Sequence, residues 1–293
     1  MYMSKKFLFS IVVFFCTLVS IISLEYVSKD FFGAKINWTA MNVSFSITEK
    51  LPRVIIDTRD LDYGKPGTAF NISEARNKAQ VKAREKINLQ LVRSIETIRV
   101  NDDYTIIQKI QSDVTFRERM NEFFQLEKSE LKVNYNKDRI TVESVVHLTG
   151  QYGLLNFIDM EFGTEKFPEL MSEEIVKPSH FTGLVLDARH LDAEPTLFPR
   201  ITTEKGLEVY SYHYVNKNNV IDNGMVSYQS NPDDALSDKR VGSNPMYILA
   251  LTTVGKNKTG LSITTEDAKN LLVSKETKNY LKKCSVVILL QMK

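Results

Sequence analysis

The chain has 293 residues, 43% hydrophobic and 25% charged, an ordinary globular composition with room for two domains of typical size. The formal net charge is +2 and no basic run of five or more residues occurs, so charge lends no support to a nucleic-acid partner. Two cysteines, Cys16 and Cys284, exclude a small disulfide-stapled scaffold.

Lys5 and Lys6 precede an uncharged apolar run from Phe7 to Leu24, which Glu25 ends. A basic start followed by an apolar run predicts a secretory signal or an N-terminal membrane anchor over residues 1–24. Either outcome places Tyr26 onward outside the cytoplasm. Cys16 lies in mid-run behind the bulky Phe15, which argues against lipidation there. Once the signal is removed, Cys284 has no cysteine to pair with, and an exported chain without a disulfide fits a bacterial periplasm.

Residues 25–50 read as an extended arm. Val43, Phe45 and Ile47 alternate, with a break near Met41. A strand, Val54–Ile56, opens a first domain assigned to residues 51–160, and Gly64, Pro66 and Gly67 mark the turn after it. The chain's best helix follows. Asn71 and Glu74 are spaced as a capping box, and Ala75, Ala79, Ala83, Ile87, Leu91 and Ile95 form one apolar stripe. Three alanines in that stripe let the helix approach a sheet or another helix closely. One or two further helices are expected after Tyr104, with Ile106, Ile107, Ile110, Val114, Met120, Phe123 and Phe124 on the apolar side. Leu131 to Leu148 reads as a hairpin turning at Asn136–Asp138.

Residues 161–180 read as a linker rich in Glu, Gly and Pro. The second domain, 181–293, opens on the apolar strand Leu184–Leu186. "LEVYSYHYV" and "MYILALTTVG" read as strands, a helix capped by Thr264 or Thr265 runs through Leu281, and "SVVILL" closes the chain as a buried strand. The class is α+β: two small domains with mixed or antiparallel sheets, the first carrying a long Ala-rich helix on its sheet.

Chemistry is sparse. "VIIDTRDLD" (54–62) and "LVLDARHLD" (184–192) share an outline, so Asp57, Arg59, Asp187 and Arg189 read as structural turn anchors. The residue most useful for catalysis, His190, is Asp60 in the other copy. On a strand, Asp187 and Arg189 share a face and His190 does not. His180, His190 and His213 match no metal-ligand spacing. "DKRVGSNPMY" (238–247) reads as a shaped turn, and "VGKNKTG" (254–260) as a hairpin turn that lacks the spacing of a phosphate loop. Cys284 reads as a buried structural thiol. No catalytic residue, cofactor or metal is expected. A hydrolase using Asp187 and His190 is the enzymatic alternative.

The ordered segments "TGLVLDARHLDAEPTLFPRI", "GLEVY", "NGMVSY", "RVGSNPMYILAL", "NKTGLSITTEDAKNLL" and "YLKKCSVVILL", together with the Ala-rich helix and hairpin, resemble a family of exported bacterial proteins. These are related to flagellar assembly protein T and to the small outer-membrane lipoproteins that include flagellar protein P. The resemblance implies a non-enzymatic periplasmic protein in a ring or collar around the flagellar motor, as in spirochaetes. Its partners would be other motor or collar proteins, in a homo- or hetero-oligomeric ring, with no nucleic acid and with a tether to the inner membrane if residues 7–24 are retained. A periplasmic envelope-maintenance module that binds cell wall or lipid is the alternative.

Overall fold

The computed structural model describes residues 25–30, 32–52, 69–126, 130–170 and 180–292. The strand expected at Val54–Ile56, the anchors Asp57 and Arg59, and the N-terminal apolar run with Cys16 lie outside the described residues.

The stripe on the long helix is small at its start and branched at its end, and that gradient positions the helix. Helix α1 (Ala69–Thr97) begins before Asn71, the residue expected to cap it. It lays Ala75, Ala79, Ala83, Ile87, Leu91 and Ile95 on a sheet, each 5% exposed or less. The alanines let the backbone approach closely, and the larger residues fill the widening gap further along. On the flank, Lys82 and Lys86 pair with Glu49 of the sheet.

That sheet is antiparallel, in the order β1 (Val27–Lys29), β2 (Lys35–Asn37), β3 (Asn42–Lys50), β5 (Arg139–His147), β4 (Glu130–Tyr135). Residues 25–50 are therefore part of the first sheet and not a separate arm. Their partial alternation is strand alternation: Val43 pairs with Val146 and Ile47 with Val142. The break is a turn in which Met41 takes φ +50°. The hairpin β4–β5 forms as expected.

Between sheet strands run α2 (Ile106–Ser112) and α3 (Val114–Gln125). Thr105 and Gln108 form a capping box on α2, and Asp113 accepts from the Phe116 amide to start α3. This restart shifts the apolar stripe. Phe116 is buried, whereas Val114, expected inside, is 63% exposed.

The stretch expected as a linker is folded as far as residue 170. The Gly163 and Glu165 amides donate to the carbonyls of Tyr212 and His213, and Phe167 stacks on Tyr214 with centroids 4.8 Å apart. Glycine and acidic content suggested a linker, but its backbone finds partners on the second unit.

The second unit carries two sheets. One is wholly parallel, in the order β10 (Pro245–Leu249), β6 (Gly183–Asp187), β13 (Val286–Leu289), β9 (Ser227–Gln229). Strands β6 and β13 are buried along their whole length, which explains why both read as uninterrupted apolar runs. The other is mixed, in the order β11 (Thr252–Val254), β12 (Gly260–Ile263), β7 (Ile201–Thr203), β8 (Glu208–Tyr210). "MYILALTTVG" therefore supplies two strands, one to each sheet. The change-over falls between Ala250, whose amide donates to Asp187, and Leu251, whose amide donates to Ser262.

"LEVYSYHYV" is a strand only to Tyr210, because Ser211 then caps a 3-10 turn. Short helices α4 (Lys217–Asn223) and α5 (Pro232–Ser237) were not anticipated. The expected C-terminal helix is two: α6 (Thr265–Leu272), capped by Thr264, and α7 (Lys275–Lys282), capped by Ser274.

The architecture is α+β in two parts, with one buried apolar cluster running through both. Among the described residues no helix is long and apolar enough to cross a membrane.

Candidate functional site

Strand β6 ends at Asp187, on the carboxyl edge of a parallel sheet, where α/β proteins commonly bind ligands. Here the carboxylate is fully engaged by the protein. Arg189 donates from Nε to Oδ1 at 2.9 Å, from Nη2 to Oδ2 at 2.6 Å, and from its backbone amide to Oδ1 at 3.1 Å. The Tyr247 hydroxyl donates to Oδ2 at 2.5 Å. Burial alone would raise the Asp187 pKa. The hydrogen bonds from Arg189 and Tyr247 more than offset it and bring the carboxyl down to about 2. The pairing read from the spacing of Asp187 and Arg189 is present and anchors the turn after β6. Tyr247 was missed, since only the β10–β6 register brings it to Asp187. His190 is exposed and makes none of these bonds.

His213 and His180 each sit in a Ser–His–Glu cluster that spacing did not suggest, whereas His147 faces only Glu130, at 3.6 Å. His213 Nδ1 lies 3.2 Å from Glu208 Oε1 and 3.3 Å from Ser211 Oγ, and Ser211 donates to Glu208. His180 Nδ1 lies 2.9 Å from Ser274 Oγ and 3.4 Å from Glu276 Oε2, and Ser274 donates to Glu276. A hydrolytic relay needs the serine on one ring nitrogen and the acid on the other. In both clusters serine and glutamate share Nδ1. Both serines also cap helical turns, accepting from the amides of His213 and Thr277. The described residues include no group of three or more His, Cys, Asp or Glu side chains placed to hold a metal.

The "VGKNKTG" loop does form the β11–β12 hairpin turn, and it holds an anion belonging to the chain itself. Asp102, in the loop between α1 and α2, receives the amides of Lys256 and Asn257, both at 3.0 Å, and the Thr259 hydroxyl at 3.1 Å. Asn257 Nδ2 also donates to the Asp102 carbonyl at 2.5 Å. Consecutive amides turned to one side make an anion-binding nest, here used to dock one unit on the other.

In "DKRVGSNPMY", Gly242 takes φ +73°, and a Cβ there would meet the Thr182 side chain at 2.8 Å. The turn directs Arg240 inward. Its guanidinium donates to the carbonyls of Gly224 and Cys284, both at 3.0 Å, and to that of Asn223. It thereby closes the carboxyl end of α4 and the turn after α7. Cys284 is buried, and burial pushes its thiol up to about 12. The buried structural thiol expected from the sequence is what is found.

Two surface features stand apart from these bonds. One is the outer edge of β10. The other is a cleft of about 310 Å³ between α1, α3 and the end of β5. No curated protein matches the chain. Residues 183–292, the unit from β6 through β13, are similar to the second domain of Treponema pallidum Tp0624, whose family model they match.

Proposed function

We propose that this protein is a non-enzymatic periplasmic structural or assembly protein, acting by protein–protein contact in a ring or collar at a flagellar motor. The observation that carries this reading is an edge of the parallel sheet that no described strand pairs. Among the described residues β10 is an outermost strand; Tyr247 and Leu249 are 43% and 57% exposed along it, and Leu251, just past its end, is 45% exposed. No charged residue occurs from Val241 to Gly255. Edge strands are ordinarily guarded by charge or proline along their length; β10 opens on Pro245 but carries neither guard beyond it, which suits the docking of another chain. The engagement of Asp187, Ser211 and Ser274 in turns and caps supports a structural role. Similarity to a spirochaete domain supports the setting.

A photo-crosslinker at position 249 of the full chain, in cells, tests this. Capture of motor or collar proteins, with capture lost in Tyr247→Lys, is the expected result. Unchanged motility and unchanged motor density in tomograms of a deletion strain would overturn it.

The 310 Å³ cleft favours a second reading, a lipid-binding envelope module. It is independent of the β10 edge.

A further inference from the structure

We propose that the cleft between α1, α3 and β5 holds a single alkyl or acyl chain of a neutral lipid, chain inward and uncharged polar end at the mouth. The inference rests on the second reading above and gives it a ligand. Its inner wall is Leu91 and Ile95 of α1, Phe123 of α3 and Val146 of β5. Phe123 packs on Phe124 and Phe157 with centroids 5.4 Å apart in both cases.

Charge selects the occupant. A quarter of the chain is Asp, Glu, Lys or Arg, yet among the described residues none of these lines the cleft, whose lining includes the His147 imidazole. α1 and α3 carry their charges elsewhere, at residues such as Lys86, Arg117 and Glu122. Among the described residues a charged body would meet only the His147 imidazole as a counter-charge, which already faces Glu130 at 3.6 Å, whereas an apolar chain meets apolar walls. At the mouth, Asn88, Thr149 and Gln151 offer neutral donors and acceptors, which suit a hydroxyl, ester or amide.

Size separates a chain from a protein partner. A standard protein interface buries roughly 800 Å² per partner over a broad face. A recess of about 310 Å³ lies instead at the scale of small-molecule sites, about 300–1,000 Å³.

The mouth is also preformed. Gly150 takes φ +90°, and its amide donates to the Ile221 carbonyl at 2.7 Å. A Cβ on Gly153 would fall 2.1 Å from the Thr149 carbonyl oxygen. Only glycine fits this turn, which holds Thr149 and Gln151 at the rim.

The experiment uses the full chain in its native envelope and a long-chain fatty alcohol bearing a mid-chain diazirine. After illumination, adducts are mapped by mass spectrometry. Adducts are expected on segments 88–95 and 123–126, competed by unlabelled fatty alcohol. Leu91→Trp, which fills the recess, is expected to lower them about tenfold, as for loss of one decade in affinity. Asn88→Glu, at an exposed position, puts a charge at the mouth and is expected to lower them without changing the melting temperature. Leu249→Lys leaves them unchanged, which separates this site from the β10 edge. The proposal is overturned by adducts confined to residues 7–24 or scattered over the surface. It is equally overturned by undiminished labelling in a folded Leu91→Trp or Asn88→Glu chain, or by a photo-leucine at position 124 that captures protein in place of lipid.

Discussion

A Cβ added to Gly255 would sit 2.2 Å from Cγ of Asp102, a residue of the other structural unit. The loop is shaped around that carboxylate. Gly255 also takes φ +89°, a conformation that costs an L-residue about 1–2 kcal/mol. Asp102→Ala leaves the amides of Lys256 and Asn257 without their acceptor, at a cost of about 1–3 kcal/mol. Gly255→Ala is expected to cost at least as much. Because both changes act on one contact, the double variant should cost less than the sum. Denaturant titrations of the four proteins measure this, and strict additivity would refute the docking role.

Asp187 sets an acid limit on stability. Its carboxyl lies at about 2 against an ordinary 3.8, so folding favours the ionised form. The stability it contributes is complete above pH about 4 and is lost as pH falls from about 4 to about 2. The loss amounts to something on the order of 2 kcal/mol. Asp187→Asn should lose that stability at neutral pH and flatten the acid limb of the curve. Melting temperature against pH, with and without the substitution, is the measurement.

Arg240 closes the carboxyl end of α4 and joins the Val286 amide on the Cys284 carbonyl. Arg240→Met leaves the carbonyls of Asn223, Gly224 and Cys284 without this donor and is expected to cost about 2–3 kcal/mol. An urea midpoint within error of the parent would count against the assignment.

Cys284 is expected to resist thiol reagents in the folded chain, because the thiol is buried and raised to about 12. In a Cys16→Ser background, maleimide labelling at neutral pH should track global unfolding and accelerate in Arg240→Met. Fast labelling of the native protein would show that the site opens locally.

Leu249→Lys is expected to shift stability by less than about 0.5 kcal/mol, since the side chain is 57% exposed and few core contacts are at stake. A large loss on calorimetry would mean that the β10 edge serves folding and not a partner.

The α1 stripe, the β4–β5 hairpin, the buried β6 and β13 and the Asp187–Arg189 pair were all legible in the sequence. Each is set by near neighbours. A helix face repeats every three or four residues and a strand face every two, and a bidentate pair two residues apart needs no distant partner. What tertiary structure decided was every relation across the chain. Residues 25–50 became sheet strands because β3 pairs along its whole length with β5. "MYILALTTVG" was divided between two sheets by its neighbours β6 and β12. Tyr247 reached Asp187 through parallel register, and Asp102 found its amides more than 150 positions away. The cleft between α1 and α3, lined from three separate segments, has no local signature at all. Periodicity records which side of an element is buried; it does not record what buries it, because that depends on contacts whose sequence separation no local pattern encodes.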